Sequence, residues 1–424
     1  MAADKNLFMY DFAIVAIMKN EGHYVKEWLD YHLAAGVDHF YIYDNESTDN
    51  FKEVLQPYIE AGTVTYTFYP GVGKQIRAYN DAFKNYRFFC RYMAFIDADE
   101  FIFPQSKKNI VTVVDEIFNE KEELGGMEVN WQIYGSNFQE TADYSKGVLE
   151  RFTRRAEQIA SGVKSIANPR KINYIDSVHY LEYFHGTPEI LAETEEGKAL
   201  VASQILVNHY QFKSHEEFSN KKSRGSATYY KPDFYSEDDF NHFENNEVFD
   251  DSILKYRDAR ALKKVGKAIG REIDYNKLIG ALFQNLNPII SGENLEEDFF
   301  EGKMETFLTC RALASYLKEN ILDETRGAFV EKATLKAIQA AALTNLSVAD
   351  AELLLSELPN ILKLNYPEVK EILNISLEIL ARMKDEFNAQ IDSFGKLKFW
   401  KDFNELDNMY RILENFKYYD YKQE

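Results

Sequence analysis

Asp97-Ala98-Asp99-Glu100 follows the apolar run Tyr92–Ile96 and is the strongest chemical signal in the chain. Alternate side chains of an extended segment share a face, so Asp97 and Asp99 point together if the extension continues. Carboxylates this close repel one another unless a cation or hydrogen-bond donors neutralise them. Their hard oxygens suit Mg²⁺ or Mn²⁺, and a nucleotide diphosphate would complete the coordination shell. The plainer alternative is an acidic turn that caps the next segment.

Three further polar stretches follow apolar runs: Lys19-Asn20-Glu21-Gly22, Asp44-Asn45-Glu46-Ser47-Thr48-Asp49 and Tyr69-Pro70-Gly71-Val72-Gly73-Lys74-Gln75. Loops at a functional edge have this character, although Ser47 or Asp49 also suits simple helix capping. Lys74 and Arg77 fall in the first turn of the next predicted helix, where cations oppose the helix dipole. An anion bound there resolves the conflict, and so does pairing with nearby acids. A second cluster is Asn208-His209-Tyr210 with Lys213-Ser214-His215-Glu216-Glu217-Phe218. Val201–Phe212 alternates like a strand, and Ser214 with Glu217 reads as a capping box. His209 falls near that strand's end, where a lone histidine is usually structural. Lys221, Lys222 and Arg224 make one basic spot, and Lys164, Arg170 and Lys171 make another ahead of His179.

The elements that position these residues alternate. Apolar runs at Phe12–Ile17, Phe40–Tyr43, Val64–Phe68 and Tyr92–Ile96 read as buried strands. Between them, helical spacing covers Tyr24–Ala35, stopped by Gly36, then Asn50–Ala61, opened by Asp49 and stopped by Gly62, then Gln75–Phe88. This alternation predicts an α/β fold with an open, mostly parallel sheet flanked by helices. Ligands in such sheets bind beyond the carboxyl ends of the strands. Glu237–Asp251 holds seven acids and no Lys or Arg, and after it the β-branched runs disappear. Leu308–Leu317, Thr334–Leu343, Ala349–Leu358 and Val369–Met383 read as helices punctuated by Pro359 and Pro367. The predicted division is a first domain over 1–250 and an all-helical domain over 251–424.

Composition narrows the classes. The chain has 424 residues, 45% hydrophobic and 15% aromatic, enough to build packed cores rather than a disordered chain. A net charge of −20 argues against a general nucleic-acid binder or a polybasic membrane-surface protein. Cys90 and Cys310 form no disulfide framework, which suits a reducing, cytoplasmic setting. Phe12–Met18 is too short for a membrane span, and no signal peptide or transmembrane segment is visible.

Taken in order, the stretches resemble glycosyltransferase family 92 and related family 2-like enzymes with a GT-A fold. The resemblance rests on Lys19-Asn20-Glu21, Trp28-Leu29-Asp30-Tyr31-His32, Gly36–Asn45, Asn80-Asp81-Ala82-Phe83, Phe95–Phe101, Trp131–Ser136 and Asn208–Phe218. It covers roughly residues 10–225 and leaves the helical region unassigned. It implies a Rossmann-like GT-A sheet and metal-dependent transfer of a sugar from a nucleotide-sugar donor, UDP-galactose or similar. The acceptor would be a glycan or glycoprotein, and the reaction inverting. It implies Mn²⁺ or Mg²⁺ at Asp97 and Asp99, with His209 as a further ligand. Asp44 matches a nucleobase- or ribose-binding acid. Lys19 and Glu21 fall in matching stretches at the donor edge, and Lys74, Arg77, Lys164 and Lys213 become diphosphate candidates.

An inverting transferase needs a carboxylate base near the acceptor hydroxyl. Glu140 and Asp143, in the loop Gly135–Tyr144, are the candidates, and both equally suit a solvated acidic loop. Trp131 and Tyr134 suit stacking on a sugar face and equally suit a core. The competing readings are a metal-dependent nucleotidyltransferase or phosphohydrolase on the same acidic pair, and an inactive carbohydrate-binding scaffold. The helical region would bind the acceptor, form a homodimer or recruit a partner.

Overall fold

The computed structural model describes residues 4–106, 108–119, 124–187, 195–224, 236–242, 244–257 and 272–389. The chain divides into two compact units. One gathers residues 8–183 with 187–275; the other gathers the residues from 276 onward with 1–7 and 184–186.

In the first unit the strands are β1 (Tyr10–Met18), β2 (His39–Asp44), β3 (Val64–Phe68), β4 (Cys90–Phe95), β5 (Glu100–Pro104) and β6 (Gly126–Ile133). They continue with the short β7 (Arg154–Arg155), then β8 (Val163–Ala167), β9 (Ile172–Tyr174), β10 (Glu182–Tyr183), β11 (Ile205–His209) and β12 (Val248–Phe249). Eight of them form one mixed, mostly parallel sheet in the order β3-β2-β1-β4-β8-β6-β11-β5. β1 pairs in parallel with β2 and β4, β2 with β3, and β11 with β6, whereas β8 runs antiparallel to both β4 and β6. β1 is buried along Phe12–Met18, which explains its unbroken apolar run.

The helices of this unit are α1 (Val25–Ala35), α2 (Phe51–Glu60), α3 (Gln75–Tyr86), α4 (Ile110–Asn119), α5 (Val148–Arg151), α6 (Glu195–Gln204), α7 (His215–Arg224) and α8 (Glu237–His242). Gly36 ends α1 at φ 109°, a left-handed position that glycine takes without strain. Residues 201–204 finish α6, so the strand expected over Val201–Phe212 is confined to Ile205–His209. Leu200 and Ala202 favour a helix, the β-branched Val201 does not, and α6 packs on β6 and β11.

α1 explains the run Trp28-Leu29-Asp30-Tyr31-His32. Trp28, Tyr31 and His32, at i, i+3 and i+4, share one face and are buried. Trp28 Nε1 donates to the Glu100 carbonyl (2.8 Å), Tyr31 Oη donates to the Ile102 carbonyl (2.8 Å), and His32 Nε2 accepts the Ile102 N–H (3.2 Å). These side chains cover the edge of β5, which among the described residues pairs only with β11. They also fix the strand that begins at Glu100.

The second unit is helical over Tyr275–Ile290, Met304–Asn320, Glu324–Ala342, Val348–Ile361 and Pro367–Ala389. Asp323 and Ser347 cap two of these helices by accepting the N–H groups of Arg326 and Asp350. Pro367 opens its helix, whereas Pro359 lies inside the last turn of Val348–Ile361 instead of ending it. Among the described residues no helix is long and apolar enough to cross a membrane.

Candidate active site

The acidic motif is a turn. β4 stops at Phe95, residues 96–99 turn, and β5 starts at Glu100. Extension does not continue through Asp97 and Asp99, and their carboxylates go to different partners. Asp97 Oδ2 accepts from Lys164 Nζ (2.9 Å), while its Oδ1 accepts from Gln75 Nε2 (2.5 Å) and Tyr79 Oη (3.3 Å). Asp99 Oδ2 accepts from Lys221 Nζ (2.6 Å), and its Oδ1 lies 3.6 Å from His209 Nε2. The mutual repulsion expected of these carboxylates is thus relieved by the chain's own ammonium groups.

Glu100 is the third acid and is completely buried. Its Oε2 accepts the Asp97 N–H (2.8 Å), while Oε1 has no hydrogen-bond partner among the described residues and lies 4.0 Å from His209 Nε2. Burial raises its pKa, against the pull of Lys164, and the neighbouring aspartates add to the rise. Burial would also raise the pKa of Asp99, but Lys221, His209 and Lys213 outweigh it and hold the carboxyl well below its usual range. His209 is held neutral, because burial lowers its pKa more than Asp99 raises it. Its Nδ1 has no hydrogen-bond partner among the described residues.

Three cations, Lys164, Lys221 and Lys213, converge on the acids. Lys164, on β8, is fully buried, and Asp97 and Glu100 keep it charged against the cost of burial. Lys213 sits at φ 63° just before the capping box, in which Ser214 Oγ accepts the Glu217 N–H (3.3 Å) and Glu217 Oε2 accepts the Ser214 N–H (3.1 Å). Burial depresses the Lys213 pKa, against the opposing fields of Asp99 and Glu21, and its Nζ lies 4.7 Å from the Tyr24 ring centroid. Glu217 and Lys221 share one face of α7: the first takes a buried fork from Arg151 (2.6 and 2.8 Å), the second holds Asp99.

The loops after β1, β2 and β3 are hydrogen-bonded into one rim. The Asn20 N–H donates to Ser47 Oγ (2.9 Å), Gly22 N–H to Asp49 Oδ2 (2.8 Å), and Gly71 N–H to Glu46 Oε2 (3.0 Å). Asn20 and Glu46 both adopt positive φ, 56° and 61°. Asparagine tolerates that region and glutamate does so at a cost, as is common where a loop is shaped for a ligand. Asp44 belongs to this rim: it accepts from Tyr66 Oη (2.7 Å) and from the Ser47 N–H (2.8 Å). Lys19 follows β1 directly and is half-buried, and Glu21 is buried. Lys74 precedes α3, its stem passing beside Gly71, while Arg77 is exposed. Glu140 and Asp143 have exposed side chains. The Glu140 carbonyl accepts the Glu216 N–H (3.0 Å), and Asp143 is hydrogen-bonded by Ser145, which lowers its pKa. No hydrogen bond or ion pair among the described residues joins either acid to Asp97, Asp99 or His209.

The aromatic candidates separate. Tyr134 is core, stacked on Tyr210 (centroids 4.6 Å apart). Trp131 packs against both His209 (4.6 Å) and His179 (5.2 Å), and its Nε1 has no hydrogen-bond partner among the described residues. Lys221, Gln75, Tyr79 and His179 are site residues outside the sequence-derived candidates. The four-residue spacing of Gln75 and Tyr79 at the start of α3 was the available signal for that pair. Lys221 was legible only as part of a basic spot.

Asp99 and His209 fit a divalent ion as donors, since an ionised carboxylate and a neutral imidazole suit Mn²⁺. Among the described residues no group of three or more His, Cys, Asp or Glu is gathered to hold a metal. Asp97 is committed to Lys164 and α3, so the chain itself offers a partial set.

The family model of glycosyltransferase family 92 matches residues 15–255. A glycosyltransferase family 92 protein of Ricinus communis is 27% identical over 223 residues, covering 52% of this chain and 39% of that protein. One from Oryza sativa subsp. japonica is 27% identical over 223 residues, covering 52% and 36%. A galactan beta-1,4-galactosyltransferase of Arabidopsis thaliana is 34% identical over 100 residues, covering 21% and 19%. The matched stretch is thus well under half the length of these curated relatives.

Proposed function

The chain belongs to glycosyltransferase family 92, and from that premise we propose that it moves a hexose from UDP-galactose or a close analogue to a hydroxyl of a glycan or glycoprotein, with inversion. The observation that carries the proposal is the meeting of Asp97, Asp99 and His209 with Lys164, Lys213 and Lys221 at one sheet edge. On this reading the sheet is a GT-A fold and the rim after β1, β2 and β3 receives the nucleotide, Asp44 with Lys19 and Glu21 lying beside the base and ribose. The galactosyltransferase name of one relative supports galactose as the sugar.

Asp99 and His209 would hold Mn²⁺ or Mg²⁺, with Asp97 behind them contacting ribose or water. When bound, the ion supplies Lewis-acid neutralisation of the departing diphosphate. Lys164 and Lys213 are preorganised cations for the same charge, desolvated and therefore effective. Lys74 and Arg77, at the amino end of α3, would extend that field to the diphosphate. In the reaction the acceptor oxygen attacks the anomeric carbon as the bond to the diphosphate oxygen breaks. A carboxylate, Glu140 in preference to Asp143, takes the acceptor proton. The helical unit is assigned no catalytic group.

The test is galactose transfer from UDP-galactose to a β-1,4-galactan oligosaccharide, alongside donor hydrolysis, with and without Mn²⁺. Absence of both reactions across UDP- and GDP-sugars removes the proposal.

A further inference from the structure

A cleft of about 280 Å³ opens beside the amino end of α1 and the loop leading into α5, with His23, Tyr24, Lys26, Asp30, Tyr144 and Arg151 in its wall. It contains none of Asp97, Asp99 or His209. The size lies at the lower end of small-ligand sites, roughly 300 Å³ and upward. That suits a short saccharide segment better than a whole nucleotide-sugar.

The wall has a specific chemistry. His23 and Tyr144 stack, with centroids 4.2 Å apart and planes 19° from parallel, and Tyr144 is 46% exposed. An exposed, pre-stacked aromatic pair offers a rigid platform for the apolar face of a sugar ring at little entropic cost. Around it Lys26 pairs with Asp30 (2.5 Å), Arg151 forks onto Glu217, and Glu27 accepts the Val148 N–H (2.5 Å), while Lys146, also in the wall, forms no ion pair among the described residues. With one ammonium, Lys146, outside those pairs and the stacked rings at its mouth, the wall favours a hydroxyl-rich ligand over a multiply charged phosphate or an acidic peptide. The cleft also touches the catalytic apparatus on two sides. Tyr24 lines it and carries Lys213 on its ring, and Tyr144 directly follows Asp143, one of the two candidate bases.

We infer that this cleft is an acceptor subsite that holds a neutral sugar ring of the acceptor chain, set back from the reacting hydroxyl. The inference rests on the transferase reading. It adds residues that grip the acceptor and take no part in donor chemistry.

The experiment uses the full chain and β-1,4-galactotetraose, followed by calorimetry without nucleotide and by transfer kinetics from UDP-galactose. Loss of one stacking face is worth roughly three- to tenfold in affinity. Tyr144→Ala and His23→Ala are each expected to raise the tetraose Kd and the acceptor KM by about that factor. Tyr144→Phe should restore both, and donor hydrolysis should stay unchanged in all three. Unchanged tetraose binding in both alanine variants overturns the subsite. So does a wild-type protein that hydrolyses UDP-galactose but binds neither galacto-, xylo-, cello- nor mannotetraose. Tetraose binding that depends on Tyr144, in a protein that hydrolyses no nucleotide-sugar, upholds the cleft as a saccharide site and strikes the transferase reading instead.

Discussion

His209 stands directly opposite Glu100 in the antiparallel pairing of β11 with β5, and that register is what brings its Nε2 to 3.6 Å from Asp99 Oδ1. The two segments are more than a hundred residues apart in the chain. The pairing, reinforced by the Tyr210 N–H donating to the Asp99 carbonyl (2.9 Å), converts a lone histidine into a neighbour of the acidic turn.

The first prediction follows from that neighbour relation. Asp99→Ala should abolish Mn²⁺-dependent binding of UDP, whereas His209→Ala should weaken it and raise the Mn²⁺ concentration required. Mn²⁺ binding read by electron paramagnetic resonance, with and without UDP, checks both. Equal Mn²⁺ affinity in wild type and His209→Ala would remove the histidine from the ligand set.

The clamp of α1 on β5 is expected to matter for stability. Trp28→Phe keeps an aromatic ring, though a smaller one, and leaves the Glu100 carbonyl without its buried donor. A loss of about 1–3 kcal/mol is expected. Tyr31→Phe strips the Ile102 carbonyl in the same way and should cost a similar amount. Urea denaturation, with the slope of the transition unchanged, provides the measurement. Neutral behaviour of both variants would show that β5 is held by packing alone.

Acid stability should depend on the buried pair of Arg151 and Glu217. Burial would raise the Glu217 pKa, but Arg151, Ser214 and Lys213 together depress it from 4.5 to about 2. A depressed folded value favours the folded state wherever the group is ionised. The contribution is therefore complete above pH 4.5 and is lost as pH falls through about 2. Glu217→Gln should destabilise the protein at pH 7 by about 3–5 kcal/mol, since it leaves a buried guanidinium unpaired. It should also flatten the decline between those pH values in a series of thermal melts. An unaltered acid limb would assign that decline to other groups.

Gly162 is tested through its neighbour. A β-carbon there would overlap the Trp131 indole, which packs against His209 and His179. Gly162→Ala should displace the indole and change tryptophan fluorescence. A fall in turnover should exceed any fall in melting temperature. Loss of stability with full activity in the surviving fraction would make the contact structural only.

The base is distinguished by kinetics. Glu140→Gln should lower kcat strongly while leaving UDP affinity nearly unchanged, because a base acts mainly in the transition state. Asp143→Asn is the comparison. Near-normal rates in both variants would send the search for the base elsewhere.

Much of the first unit was legible in the sequence, because its signals are local. The apolar runs of β1 to β4, Gly36 after α1 and the Ser214–Glu217 capping box each act within a few residues and reappear in place. The acidic turn was visible for the same reason. Tertiary structure decided how those carboxylates are neutralised. Lys164 comes from β8 and Lys221 from α7, and nothing local links either residue to Asp97 or Asp99. It also decided that Asp97 and Asp99 face different partners, since the chain turns where extension would have aligned them. The sequence pattern placed Val201–Gln204 in a strand, and packing of α6 on the sheet placed them in a helix. Spacing along a chain reports periodicity, whereas strand order and register set which distant side chains meet, and here they set the composition of the site.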